Sequence, residues 1–200
     1  MANRMVSTQR DHMMHIEDAI APAWEHYMAK PWCASHLQHA DISPWCPPWL
    51  RPPQDVRDDP FWSKTLSTPD TVSAFLLFYH RPPRSNARVD ELKGFLDLEW
   101  GVGGYPATAH GGITTVVFDE VLGLHGRLNH ERKAFGGAFM TAYLNTSFLQ
   151  PVKLPSTVLV ISRLAKYEDR KLLMTGEIQD EKGVVLAKAE ALFVVLKNRL

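Results

Sequence analysis

His110, Gly111 and Gly112 stand just before a run of apolar residues, and Asp119 and Glu120 sit inside that run, "AHGGITTVVFDEVLGL" over 109–124. Two glycines at the start of a helix expose backbone N–H groups that have no intrahelical partner. They lie at the positive end of the helix dipole, where a developing oxyanion is stabilised. Without a Cβ, Gly111 and Gly112 let a reacting group come close, and an oxyanion contact is worth about 3–4 kcal/mol of barrier. The same glycines also suit a plain loop-to-helix turn. Asp119 lies eight residues beyond Gly111, a rise of about 12 Å in a straight helix. A substrate touching both must lie along the helix, or the two come from different subunits. By residue type alone, Asp119 fits a structural acid paired with Lys or Arg as well as it fits a catalyst. Adjacent helical residues point about 100° apart, so Glu120 is expected to face solvent or a subunit boundary. His110 is expected to orient the loop or to hydrogen-bond a substrate.

The elements that must position these residues follow from periodicity. The segments 71–81 and 91–101, "TVSAFLLFYHR" and "ELKGFLDLEWG", read as strands joined by the turn-rich "PPRSNARVD". A glycine-rich loop, "GVGGYPATAHGG", leads into a helix over 113–124, and "HGRLNHERKAFGG" reads as a polar loop. Strand-like runs follow at 137–150, 157–167, 170–180 and 184–197, with the alternation of an antiparallel sheet that buries one face. Ala187, Ala189, Ala191 and Phe193 share a face of the last run, where small side chains let a helix lie close. The order strand, strand, helix, four strands predicts an α+β fold, one helix wrapped by a curved antiparallel sheet. Exposed sheet edges would be protected by pairing between subunits.

Upstream, "DHMMHIEDAIAPAWEHYMAK" has helical spacing with Pro22 near its middle. Five of the six tryptophans lie between residues 24 and 62, in a stretch crowded with proline. Long helices and regular strands are not expected there. The rings are expected to pack across the main domain or a partner subunit. The division is therefore an extension over 1–69 and a main domain over 70–200.

Composition narrows the class. The 200 residues carry 22 basic and 22 acidic side chains, a balance unlike that of a nucleic-acid binder. No apolar run reaches membrane-spanning length, and the N-terminus lacks a signal-peptide core. Its first ten residues hold two arginines and no acid, a faint organelle-import signal that Asp11 interrupts. Cys33 and Cys46 make no disulfide framework, and a reducing, cytoplasmic setting is the default. Cys33, His36, His39 and Cys46 include zinc-ligand types at atypical spacing, and no metal or cofactor is expected. No G-x-S-x-G elbow occurs.

The ordered motifs resemble the hotdog-fold acyl-CoA thioesterases, in particular the phenylacetyl-CoA-type clade and the mammalian thioesterase superfamily members. Three stretches carry the likeness: His110-Gly111-Gly112 with Asp119 and Gly123; "GGAFMTAYLNTSFLQPVKL" over 136–154; and "YEDRKLLMTGEIQDEKGVVLAKAEALFVVLK" over 167–197. They span roughly residues 70 to 198. The resemblance implies that Asp119 attacks a thioester carbonyl or activates water to do so, with the Gly111 N–H as oxyanion donor. It implies that Thr141 reaches the site across a subunit interface, in a dimer or dimer of dimers. Asn145 shares the Thr141 face under strict alternation and is expected to line the cleft. Arg170 and Lys171 match the family's basic turn and are expected to meet substrate phosphates. The substrate would be an acyl group on coenzyme A or on a carrier protein, in fatty acyl or polyketide metabolism. A hydratase-like or polyketide-tailoring enzyme on the same scaffold, or a non-catalytic acyl-binding protein, are the other readings. The arm and the polar segment 125–136 have no counterpart in the smallest members, and substrate identity does not carry over.

Overall fold

A computed structural model describes residues 16–51, 59–84 and 86–197. The extension begins, within these residues, as helix α1 over 16–28, which continues through Pro22. Helix α2 (Pro31–Leu37) follows, with its proline at the first position, where no intrahelical N–H is needed. The tryptophan-rich stretch then does what its prolines argue against: it forms a strand, β1 (Ile42–Trp45). β1 pairs antiparallel with β2 (Val72–His80), Pro44 lying opposite Phe78. Proline is tolerated there because β1 is an edge strand, with one side free of ladder bonds. A 3-10 turn (Pro48–Leu50) and a π-helical turn (Phe61–Leu66) complete the arm.

The main sheet adds β3 (Glu91–Leu98), β6 (Phe139–Phe148), β7 (Ser156–Glu168), β8 (Lys171–Gln179) and β9 (Val185–Val195). Its order is β1-β2-β3-β7-β8-β9-β6, antiparallel throughout. The glycine-rich loop contains a two-stranded hairpin of β4 (Gly103–Tyr105) and β5 (Thr108–Ala109). The longest helix among the described residues, α3 (Gly111–Glu131), lies on the inner face against β3, β6, β7, β8 and β9. Ala187, Ala189, Ala191 and Phe193 are buried beneath it. Gly176 permits the closest approach, since a Cβ there would stand 2.8 Å from the Phe118 ring. This is the α+β arrangement expected, with one helix on a large antiparallel sheet.

The helix is longer than its apolar stripe suggests. Residues 125–131, expected as a polar loop, are its last two turns. His125 and Asn129 look like solvent-facing residues but are fully buried. His125 Nε2 meets the Val89 carbonyl at 2.9 Å, and Nδ1 meets Ser162 Oγ at 2.9 Å. A carbonyl only accepts, so Nε2 carries the proton and Ser162 donates to Nδ1. Asn129 accepts from the Val89 N–H at 2.8 Å and donates to the Val89 carbonyl at 2.9 Å. Polar side chains with every partner satisfied can be buried at little cost.

The extension covers the outer face. Tyr27, Cys33 and Leu37 pack on Leu76, Phe78, Phe95, Leu159 and Ile161, while Leu77, Leu92 and Leu96 face α3. With both faces covered, β2 reads as a continuous apolar run rather than an alternating one. A half-buried cluster around the buried Asp97 anchors the extension: Asp97 accepts from His26, Lys30 and Thr157, each at 2.6 Å. Burial pushes the Asp97 pKa up, but the bonds from Lys30, Thr157 and His26 outweigh it and hold the carboxyl below its usual range. Among the described residues, no helix is long and apolar enough to cross a membrane.

Candidate active site

His110 is the N-cap of α3, and its Nδ1 accepts the Gly112 N–H at 2.9 Å. Gly104 makes room for this ring: a Cβ on it would come within 2.6 Å of His110. The cap separates the two glycines. The Gly112 N–H is taken inside the turn, so Gly112 is not the substrate-binding donor that its position suggests. The Gly111 N–H has no partner among the described residues, and Gly111 is exposed. One donor of the required kind therefore remains at the positive end of the helix.

Two turns further along, Asp119 is exposed on α3. Thr141, on β6, donates its hydroxyl to Asp119 at 2.9 Å. The bond is made within one chain, where the resemblance implies a reach across an interface. A β-bulge between Thr141 and Tyr143 sets this geometry. Thr141 stands opposite Phe193 on the helix side, whereas Asn145 stands opposite the exposed Glu190. The extra residue in the bulge inverts the alternation. Asn145 consequently points away from Thr141 and does not line the cleft with it.

Asp119 and Thr141 open onto a cavity of about 620 Å³ between α3, the start of β6 and the arm. Glu120 lines it too, which corrects the expectation that this residue faces solvent or a subunit boundary. Trp49 covers it, donating its indole N–H to Glu120 Oε1 at 2.8 Å. Burial pushes the Glu120 carboxyl up to about 8; the Trp49 bond opposes the rise, and Asp59 and Asp119 add to it. Sequence reasoning placed Glu120 by helical angle alone, and could not see that an aromatic from the arm lands on it.

The remaining candidates lie elsewhere. The turn holding Arg170 and Lys171 joins β7 to β8, beside the end of β9. Arg170 spends one guanidinium N–H on the Val195 carbonyl at 2.8 Å, and Lys171 is exposed. Cys33 and Cys46 are buried, and burial pushes their thiols up to about 12 and about 11, far from thiolate nucleophiles. Among the described residues, no three His, Cys, Asp or Glu side chains converge in metal-binding geometry.

The fold is the hotdog fold, and residues 107–187, which hold α3, its glycines, Asp119 and Thr141, match the model of the thioesterase superfamily. Two curated relatives are similar over part of their length. Acyl-coenzyme A thioesterase THEM4 of Bos taurus is 38% identical over 95 residues, covering 46% of this chain and 36% of that protein. Its counterpart in Mus musculus is 33% identical over 124 residues, covering 61% of this chain and 48% of that protein. The chain thus matches less than half the length of either. A solved thioesterase superfamily protein superposes with a TM-score of 0.51 at 25% identity, over 64% of this chain and 60% of that one. A mutant of a hypothetical thioesterase from Streptococcus pneumoniae gives 0.50 at 16% identity, over 56% and 87%, a likeness of fold alone.

Proposed function

We propose that this protein hydrolyses an acyl thioester, with Asp119 as general base or nucleophile and the Gly111 N–H as oxyanion donor. The observation that carries this reading is the hydrogen-bonded Thr141–Asp119 pair lining a cavity on α3 that aromatic and aliphatic side chains also wall. The Thr141 hydroxyl donates to one carboxylate oxygen, leaving the other to take a proton from water or to attack the carbonyl carbon. On the first route the water oxygen bonds to the carbonyl carbon, the C–S bond breaks and the sulfur leaves with the proton. On the second the thiolate leaves as an acyl–Asp119 anhydride forms, and water then hydrolyses that anhydride to the free acid and the aspartate, one water proton going to the thiolate. The names of the relatives favour acyl-coenzyme A as substrate; a carrier-protein thioester offers the same reacting group. Arg170 and Lys171 supply cations for its phosphates. Aspartate chemistry of this kind requires no cofactor.

Within one chain, Gly111 and Asp119 stand about 12 Å apart along α3, too far to share one carbonyl. β6 supplies a second subunit's contribution. It is a ten-residue edge strand, unpaired on its outer side among the described residues, with Met140, Tyr143 and Phe148 exposed. An edge of this length invites pairing with a copy of itself. Gly111 lies beside Phe148 at one end of β6, and Asp119 beside Thr141 at the other. Antiparallel pairing of two β6 strands about a two-fold axis near Leu144 and Asn145 would set Thr141 against Phe148 of the partner subunit. Asp119 would then face Gly111 of the partner subunit, giving two sites per dimer.

A thiol-release assay over short, long and aromatic acyl thioesters, on coenzyme A and on a carrier protein, tests the reading. Asp119→Asn should keep the fold and lower turnover about 100- to 10,000-fold. Undiminished turnover in that variant would sink the mechanism.

A further inference from the structure

The arm reaches the site by a defined route. Cys46 is buried in the outer core and Trp49 in the inner one, so residues 46–49 carry the chain from one face of the sheet to the other. On the inner side Trp49 is only 5% exposed. It stacks on Trp62 with ring centres 6.1 Å apart and packs against Phe75 at 5.5 Å. Two side chains then fasten this segment to α3. Trp49 donates to Glu120, and Arg51 forks onto Glu131 with bonds of 3.0 and 2.8 Å. A bidentate Arg–carboxylate pair constrains direction as well as distance.

The two fastenings hold one ring in a particular place. Trp49, Pro48 and Glu120 line the cavity that Asp119 and Thr141 open onto. From Asp119 the cavity follows α3 past Gly123 and Leu124, with Phe139 and Phe193 of the sheet also lining it. Gly123 is one turn beyond Asp119 and adds no side chain; a Cβ there would sit 3.8 Å from Phe193. Arg127 also lines the cavity, with its charge met by Glu131 at 3.0 Å. Next to the proposed base, then, is a trough with aromatic and aliphatic walls that Asp59, Glu120 and Arg127 also line. Its one wall from outside the helix and sheet comes from the arm.

Resting on the thioesterase reading, we propose that this trough holds the acyl chain and that Trp49, braced by Glu120, is the wall that limits which chains fit. Glu120 is a positioning residue: it accepts the indole N–H and so sets the ring's angle. Its neighbour Asp119 carries the chemistry. The arm thereby adds a specificity element to a helix and sheet that hold the reacting groups.

The test compares kcat and KM for straight-chain acyl-coenzyme A substrates from butyryl to stearoyl, plus phenylacetyl, in the full chain and in Trp49→Ala, Trp49→Phe and Asp119→Asn. Trp49→Ala should move the preferred chain length upward. Its kcat/KM ratio for long over short chains should rise about tenfold, the scale on which a hydrophobic pocket distinguishes chain lengths. Trp49→Phe keeps a ring and loses the N–H, and should broaden the profile with a smaller shift. If Trp49→Ala does not fold, Trp49→Leu keeps an apolar group under Trp62 and makes the same comparison. A profile of unchanged shape, whether or not the rates fall together, overturns the proposal. Full activity in Asp119→Asn overturns the underlying hydrolytic reading instead, so the two failures are separable.

Discussion

At the scale of single residues, the site depends on which polar groups are already spent. His110 occupies the Gly112 N–H, so one glycine is structural and the other free. The choice between them was not visible in "HGG", because it depends on the cap's rotamer and on the room that Gly104 leaves. Thr141 donates to Asp119, and a charge-assisted bond of this kind fixes the carboxylate's orientation. Thr141→Val, nearly isosteric but without a donor, should lower kcat about tenfold with little change in KM, while Thr141→Ser retains most activity. Loss in Thr141→Ser with activity kept in Thr141→Val would mean that the methyl group, not the hydroxyl, matters.

At the scale of elements, α3 carries two buried titratable groups that act in opposite directions. Burial holds His125 down to about 4 from an ordinary 6.5, and lifts Glu120 to about 8 from 4.5. Between 6.5 and about 4 the unfolded chain binds a proton at His125 that the folded chain refuses, so that contribution to stability is lost as pH falls. Between 4.5 and about 8 the folded chain keeps a proton at Glu120 that the unfolded chain releases, so stability is lost as pH rises. Over the shared range the two slopes cancel. Unfolding free energy should therefore be flat from about 4.5 to 6.5 and decline on either side, by up to about 1.4 kcal/mol per pH unit for one proton. Urea titrations across this range test the shape. Glu120→Gln, which still accepts from Trp49, should remove the alkaline decline and uncover the His125 slope, so that stability falls with pH from about 6.5 downward instead of staying flat; an alkaline decline that persists would assign it to another group.

At the scale of the whole molecule, the extension and the free edge of β6 lie at opposite sides of the sheet. α1 and α2 cover the outer face of β2, β3 and β7, and among the described residues β6 is the long edge strand left unpaired. Dimerisation there predicts that activity and assembly fall together. Asn145→Lys would place two like charges side by side near the proposed two-fold axis, on the face away from Thr141. Its mass by light scattering should drop to that of one chain, with turnover lost and the melting transition kept. A monomeric variant with full turnover would show that one chain holds a complete site.

Most of the strands, the long helix and its glycine start were legible in the sequence because each rests on a local signal, whereas the role of Asp119 came from the resemblance. These signals are two-residue alternation, small residues where a helix meets a sheet, and glycines at a helix start. The length of α3 was not legible, since His125 and Asn129 are polar and only their partners on Val89 and Ser162 make burial tolerable. Asn145 was placed on the wrong face because a bulge costs one residue of register and leaves no mark in composition. Strand β1 was hidden by its proline, which only an edge position permits. Glu120 was misread because the group that covers it is 71 residues away in the chain. Periodicity thus settles what an element is and which way most of its side chains face. What lies against that face, which donors are already occupied, and what closes the cavity beside Asp119 depend on long-range contacts, and these exist only once the chain has folded.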